Sequence, residues 1–336
     1  MKRGERTLTR ETALIEALSR RFGPAPPEVI LGIGDDCAAL SLNGDDYLLW
    51  TVDTLVERVH FDLSYTTLGQ LGWKALTVNL SDIAAMGGEP RYALLSLGWP
   101  PERDPGLAQA GREYGVAIIG GDTVASPGQL TVTITLTGTV PARQMLKRAG
   151  ARVGDLIYVT DDLGEAAAGL EVLKRRPELD AELKAALVAA HLAPRPQLTA
   201  GRLLASEGLA TAAIDTSDGV ASDLYHICQA SGVGAVIPAA AVPISPRVLA
   251  AAPYLKCDPL KLALMGGEDY QLLFTSTRAM AARLSPAFAG AGLDPPLLLG
   301  EIVAGDRVSL VTSEGEVDIS GAGFDHFRLD LEPEAI

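Results

Sequence analysis

The chain has few cysteines, no surplus of basic residues and no long apolar run, and each shortage excludes something. Cys37, Cys228 and Cys257 are its three cysteines. They stand far apart, so they give neither a disulfide framework nor a zinc-ligand spacing, and buried thiols are the simplest reading. Lys and Arg number 28 against 42 Asp and Glu, a formal net charge of −14. That balance excludes broad nucleic-acid contact, which needs a basic surface. No apolar stretch approaches the roughly 20 residues that span a bilayer. The opening Met1-Lys2-Arg3-Gly4-Glu5-Arg6 lacks the apolar heart of a signal peptide, so a cytoplasmic protein with no membrane partner is expected. Nucleotide signatures are missing too. There is no G-x-x-x-x-G-K-[ST] loop and no protein-kinase motif set. Gly32-Ile33-Gly34-Asp35-Asp36-Cys37 lacks the third glycine of a dinucleotide loop, and its carboxylates would repel a pyrophosphate unless metal intervened.

What the chain does have is aspartate in recurring places. Ala212-Ala213-Ile214-Asp215-Thr216-Ser217-Asp218-Gly219 runs from an apolar strand-like segment into carboxylates and then a helical pattern. Gly34-Asp35-Asp36 follows Val29-Ile30-Leu31, Thr51-Val52-Asp53-Thr54 follows Tyr47–Trp50, and Gly120-Gly121-Asp122-Thr123 follows Val116–Ile119. Asn79-Leu80-Ser81-Asp82 lies in a helical pattern, with Asn79 and Asp82 on one face. Four of these five segments are expected to put Asp just past a short strand. Magnesium takes oxygen ligands and usually one or two carboxylates from any one segment, so five such segments can complement one another. For any single Asp the default role is a turn or a helix cap. Seven carboxylates (Asp35, Asp36, Asp53, Asp82, Asp122, Asp215, Asp218) can converge only around cations, because like charges raise one another's pKa at a cost in stability.

At 336 residues two domains are expected. An N-terminal helix ends near Gly23-Pro24, and Leu68 to Val78 reads as a helix face ended by Gly87-Gly88. Leu107–Tyr114 looks helical. Leu130, Val132, Ile134 and Leu136 alternate with threonines, a strand with one apolar face. Pro141 to Gly154 is charged and without apolar period, and reads as the domain boundary. Arg143, Lys147 and Arg148 within it are by spacing an ordinary solvated linker, although arginine also suits phosphate oxygens. Strands are expected at Leu156–Thr160, Ala235–Ile237, Gln271–Phe274, Leu297–Val303 and Val308–Val311, with helices between the first two. The halves mix strands and helices without regular βαβ alternation, which points to α+β layers. His60, Tyr270 and Phe324 have default roles in the core or on the surface, and the paired glycines mark turns.

In this order the motifs resemble the thiamine-monophosphate kinases, of the superfamily that includes aminoimidazole ribonucleotide synthetase and selenophosphate synthetase. The residues that carry the resemblance are Gly32–Cys37, Asp53–Val56 with His60-Phe61, Val78–Gly87, Gly120–Thr123, Ile214–Gly219 with Ser222–Leu224, Gly266–Tyr270 and Gly323–Phe327. It implies ATP-dependent phosphorylation of thiamine monophosphate to thiamine diphosphate, with ATP as co-substrate and several Mg2+ ions. It also implies a homodimer, with N-terminal sheet domains paired across the axis. On this basis residues 1–141 form an ATP- and metal-binding, dimerising domain, and 150–336 form a C-terminal α/β layered domain completing the site. By motif, Asp36, Thr51, Val52 (through its carbonyl), Asp53, Asp82, Asp122, Asp215 and Asp218 would hold metal. Gly121, Asp122, Arg148 and Ser217 would contact ATP, and His60, Glu268 and Phe324 the thiamine substrate. Arg58 departs from the resemblance, since many relatives have glycine there, just before the substrate histidine.

The implied chemistry is direct in-line transfer to a phosphate oxygen that is already anionic, so no general base is required. Asp218, Asp122 and Asp53 would act through metal. Two alternatives stand beside it: another ATP-dependent chemistry of the superfamily, and a catalytically silent dimer that binds nucleotide. Selenophosphate synthesis usually needs a reactive Cys and a nearby Lys in an N-terminal glycine-rich loop, and this chain has no such pair.

Overall fold

The computed structural model describes residues 10–42, 44–100 and 113–324. After helix α1 (Arg10–Phe22), six strands form one sheet: β1 (Val29–Leu31), β2 (Ala38–Ser41), β3 (Asp46–Val56), β4 (Glu89–Trp99), β5 (Ala117–Ala125) and β6 (Thr131–Pro141). Their order is β1-β2-β3-β6-β4-β5, and every neighbouring pair is antiparallel except β4 and β5. The threonine alternation of β6 makes the expected two-faced strand. Val132, Ile134, Leu136 and Val140 are buried, and the threonines between them are half-buried on the opposite face.

Helix α2 (Leu68–Ala85) crosses the buried face of this sheet. Its start is fixed by a reciprocal cap, in which the Thr67 hydroxyl accepts from Gln70 N–H and the Gln70 amide oxygen accepts from Thr67 N–H. From Lys74 to Ala85 every residue but Asp82 is buried, including the polar Thr77, Asn79 and Ser81. An amphipathic surface helix would keep one polar face. This one is enclosed because the second half of the chain packs on its other side.

That half is built on a seven-stranded sheet: β7 (Leu156–Val159), β8 (Ala212–Asp215), β9 (Gly234–Pro238), β10 (Leu272–Ser276), β11 (Leu297–Val303), β12 (Val308–Thr312) and β13 (Gly315–Asp318). The order is β13-β12-β9-β11-β7-β10-β8, antiparallel save for β9 with β12. Its helices are α3 (Glu165–Arg175), α4 (Ala181–Leu192), α5 (Leu198–Ser206), α6 (Val220–Ser231), α7 (Pro246–Leu255), α8 (Pro259–Met265) and α9 (Arg278–Gly290). One sheet face packs Ile157, Val159, Ile214 and Leu273 against Leu224 and Ile227 of α6. The other packs Tyr158, Ala213 and Phe274 against Ala84 and Ala85 of α2, Leu204 of α5 and Phe288 of α9. Helix α2 therefore contributes to the core under each sheet.

The two predominantly antiparallel sheets with helices layered on them bear out the α+β expectation. Two details differ. Asp53 and Asp122 lie inside β3 and β5 rather than past their ends. Helices α7, α8 and α9 were not foreseen. The expected helix at Leu107–Tyr114 falls largely outside the described residues, as do Asp325–Phe327. Among the described residues no helix is long and apolar enough to cross a membrane.

Candidate active site

The edge strand β8 runs beside α2 and ends in Asp215, while Asp82 stands near the C-terminal end of α2. The turn between β1 and β2 adds Asp36. Carboxylate oxygens of Asp36, Asp82 and Asp215 all lie within 4.8 Å of one another. Thr51 of β3 reaches the same place, its hydroxyl donating to Asp82 Oδ2 at 2.5 Å. Asp53 is on the same face of β3 two residues on, and its charge acts on Asp82. Five segments of chain thus meet at one acidic centre: the turn before β2, β3, α2, β8 and Arg148.

Arg148 is the cation of this centre. Its Nε and Nη2 both donate to Asp36 Oδ1, at 3.0 and 2.5 Å, and its backbone N–H points at the Asp35 carboxylate. One guanidinium does not balance the five carboxylates of Asp35, Asp36, Asp53, Asp82 and Asp215, and burial makes the deficit costly. Burial and the Asp36 charge push the Asp35 carboxyl up to about 6. Burial and the Asp36 charge likewise push Asp215 up to about 7. Asp82 is raised well above the usual carboxylate range by burial and then by Asp53, Asp215 and Asp36. Asp36 Oδ2 is buried with no hydrogen-bond partner among the described residues. Asp223, in the first turn of α6, is raised by burial and by the Asp218 charge. Crowded, desolvated, all-oxygen donors with one atom left unsatisfied suit a hard divalent cation.

A cavity of about 1390 Å³ opens beside the cluster. Asp53, Ser217 and Asp218 line it at the acidic end, with His60, His191, Glu268 and Phe324 along its walls. Three loops close around it by backbone pairing: Glu268 N–H donates to Ser217 O at 2.8 Å, Tyr270 N–H to Thr216 O at 2.9 Å, and Phe324 N–H to Asp218 O at 3.0 Å. Gly267 permits this closeness, since a β-carbon there would sit 2.4 Å from the Ser217 carbonyl oxygen. His60 is held by its Nδ1, which accepts from Val56 N–H at 3.0 Å.

Glu268 carries the best-defined polar contacts in the cavity wall. Lys74 Nζ lies 2.6 Å from its Oε1, and His191 Nδ1 lies 3.0 Å from its Oε2. Burial works to raise this carboxyl, but Lys74 and the His191 hydrogen bond outweigh it and hold the group at about 2. The neighbouring Asp269 plays a different part: it accepts from Gly164 and Ala166 N–H at 2.6 and 3.0 Å and anchors the start of α3. Lys74, His191, Asp223 and Asp269 had no assigned role in the sequence reading. An isolated Lys in an apolar helical pattern was the one available signal for Lys74.

The remaining sequence-assigned residues stand elsewhere. Asp122 is directly opposite Ser96 of β4, which is opposite Thr133 of β6, which is opposite Thr54 of β3. Residues in such a row share a face. Asp53 and Thr51 are one position out of phase with that row, on the buried face. Asp122 therefore projects from the outer face of the sheet, three strand spacings or about 14 Å from Thr54. Val52 is on that outer face as well, its side chain exposed. Gly121 lies so close to β4 that a β-carbon would overlap the Leu95 carbonyl oxygen.

Two family matches cover most of the chain: AIR synthase related protein, N-terminal domain, over residues 34–140, and AIR synthase related protein, C-terminal domain, over residues 152–313. The chain belongs to the AIR synthase related proteins. Its relatives among them carry a narrower name. It is 38% identical to the thiamine-monophosphate kinase of Salmonella typhimurium over 94% of this chain and 98% of the relative. With the thiamine-monophosphate kinase of Bacillus subtilis it shares 34% identity over 89% of this chain and 94% of the relative. The solved structure of AaThiL complexed with AMPPCP and TMP matches it with a TM-score of 0.79 and 30% identity, over 95% of this chain and 98% of that one.

Proposed function

We propose that the protein is a thiamine-monophosphate kinase, which transfers the γ-phosphoryl group of ATP to thiamine monophosphate and releases thiamine diphosphate. The observation that carries the reading is the meeting of Asp36, Asp82 and Asp215 beside a cavity lined by Asp53 and Asp218, whose walls hold His60, Glu268 and Phe324. In that reading two anions must approach each other. Asp36, Asp82 and Asp215, with Asp53 and Asp218, would hold Mg2+, which would supply positive charge to screen the approach and the transition state. Thr51 fixes Asp82, and Arg148 fixes Asp36 while keeping N–H groups for nucleotide phosphate. Ser217 and Asp218 face the phosphoryl groups, and His60, Glu268 and Phe324 hold the thiamine rings. The acceptor phosphate oxygen is already anionic, so no side chain has to remove a proton.

The division of labour follows the two sheets: residues 1–141 supply nucleotide and metal contacts and 150–336 complete the site. The working form is a homodimer in the cytoplasm. Trp50, Val52, Tyr92 and Leu94 lie 44–59% exposed on the six-stranded sheet, all four on its outer face, in phase with Thr54 and Ser96 and opposite Thr135 and Thr137 of β6. Such an apolar sheet face is unusual on a monomer. Seating a second copy there presents Asp122 to the partner rather than to its own cluster, which accommodates its assigned role in ATP and metal binding.

The test is turnover of purified protein with ATP, Mg2+ and thiamine monophosphate, followed by chromatography of the products, with free thiamine and a chelator as controls. Thiamine diphosphate formed from the monophosphate only in the presence of metal is the expected result. Absence of product with ATP still bound would sink the reading. Asp218→Asn should lower kcat by at least about a hundredfold, the scale of losing one preorganised electrostatic contact to the transferring group.

A further inference from the structure

On the kinase reading Glu268 faces the thiamine half of the substrate, and the residues behind it then acquire a role. Glu268 is gripped from two packing units at once. Lys74 comes from α2 beneath the first sheet, with its side chain 2% exposed, and His191 from α4 of the second unit, 3% exposed. Each carboxylate oxygen has one buried nitrogen close to it, Lys74 Nζ at 2.6 Å from Oε1 and His191 Nδ1 at 3.0 Å from Oε2. A carboxylate has about four acceptor positions, so both oxygens keep capacity for a ligand. The Glu268 side chain remains 24% accessible, and it lines the cavity together with His191.

Burying a lysine so fully is costly unless it is paired, and here its partner lies on a cavity wall rather than in a closed core. The consequence is chemical. Beside Lys74 the carboxylate stays ionised yet is already neutralised, so it does not compete with the Asp cluster for a divalent cation. It remains an oriented acceptor for N–H groups and for diffuse positive charge. Burial and the Lys74 charge lower the His191 pKa, so near neutral pH the imidazole is a neutral group whose Nδ1 stands 3.0 Å from Glu268 Oε2.

We propose that Lys74 and His191 are positioning residues that lock the Glu268 carboxylate in one orientation as the acceptor for the aminopyrimidine N–H groups and the cationic ring of thiamine monophosphate. A purely structural tie between α2 and α4 would affect melting and leave the Michaelis constants alone. The two roles therefore separate in kinetics.

The experiment compares the full-length enzyme with His191→Ala, His191→Asn, Glu268→Gln and the His191→Ala/Glu268→Gln double variant. His191→Ala should raise KM for thiamine monophosphate about tenfold, the effect of losing one hydrogen bond to a charged group. Its kcat and its KM for ATP should change by less than about twofold, because the interaction is made equally in ground and transition states. His191→Asn, whose amide N–H replaces Nδ1–H, should restore most of the affinity. In the Glu268→Gln background His191→Ala should add nothing, since it acts through the carboxylate. An unchanged KM in His191→Ala, an equal rise for both substrates, or additive effects in the double variant would overturn the proposal. Lys74→Met strips the buried carboxylate of its counter-charge and is read by melting alone, so the histidine variants decide the outcome. Should the wild type make no thiamine diphosphate, the kinase reading fails by itself. Calorimetry with free thiamine then decides the clamp: weaker binding by His191→Ala supports it, and equal affinity, or no binding by the wild type, overturns it.

Discussion

Arg58 holds a backbone conformation that a β-carbon resists. Its φ is 66°, in a tight turn where Arg58 N–H donates to Phe61 O at 2.6 Å and His60 N–H to Val56 O at 2.9 Å. The left-handed region costs a non-glycine residue roughly 1–2 kcal/mol. Glycine would remove that strain but give back about 0.4–1 kcal/mol through its freer unfolded chain. Arg58→Gly should therefore stabilise the protein by about 0.5–1 kcal/mol, and calorimetry should find Tm higher by about 2 °C. A lower Tm would mean that contacts of the exposed arginine outweigh the turn strain. The departure from the resemblance noticed in the sequence is thus a local cost beside His60. Other residues were legible to different degrees. Asp36, Asp82 and Asp215 announce themselves because each is a carboxylate in or against an apolar segment. Lys74 and His191 do not, because a single Lys on a helix usually reaches solvent, and nothing in the sequence tells that both sides of α2 are covered.

Elements were readable where one period dominates and obscure where function interrupts it. The threonine alternation of β6 is uninterrupted, so its strand and both its faces follow from the sequence. In β3 and β5 the aspartates break the apolar pattern, so Asp53 and Asp122 look like loop residues although the ladder continues through them. Helices α7 and α9 contain Pro253 and Pro286, which mask the helical period, while the caps at Ser245 and Thr277 were the signals to follow. The outer sheet face escaped for a related reason: Trp50 closes the apolar run Tyr47–Trp50, as a core residue would, yet it is 45% exposed within the single chain. That exposure gives a prediction. The double variant Trp50→Asp/Val52→Asp puts two charges on a face that a partner must desolvate, without touching the core against α2. Analytical ultracentrifugation should show the wild type as a dimer and the variant as a folded monomer. A variant that stays dimeric would remove this face from the interface.

For the molecule as a whole, the acidic centre ties stability to pH and to metal. Asp35 and Asp215 are pushed up to about 6 and about 7 by burial and by the Asp36 charge, and Asp82 is raised well above its ordinary 3.8. In the unfolded chain these groups titrate near the ordinary value. Between about pH 4 and pH 7 the metal-free folded protein thus binds more protons than the unfolded one, and its stability falls as pH rises through that window. On the proposed reading Mg2+ would take the place of those protons. It would bind the deprotonated cluster, and at a hundredfold its Kd it would stabilise by about 2.7 kcal/mol. The effect of metal must therefore grow with pH, because protons compete with it at the acid end. Melting curves in chelator should give a higher Tm near pH 5 than near pH 8, and excess Mg2+ should raise Tm more at pH 8 than at pH 5. Glu268, held at about 2, contributes no loss in this range, since its stabilising interactions persist until the pH falls below about 4. An equal magnesium shift at both pH values would mean that the ion binds outside Asp36, Asp82 and Asp215. A chelated protein that gains stability from pH 5 to pH 8 would mean that the cluster already carries its charge without a cation, and the metal-centred transfer argued from it would lose its footing.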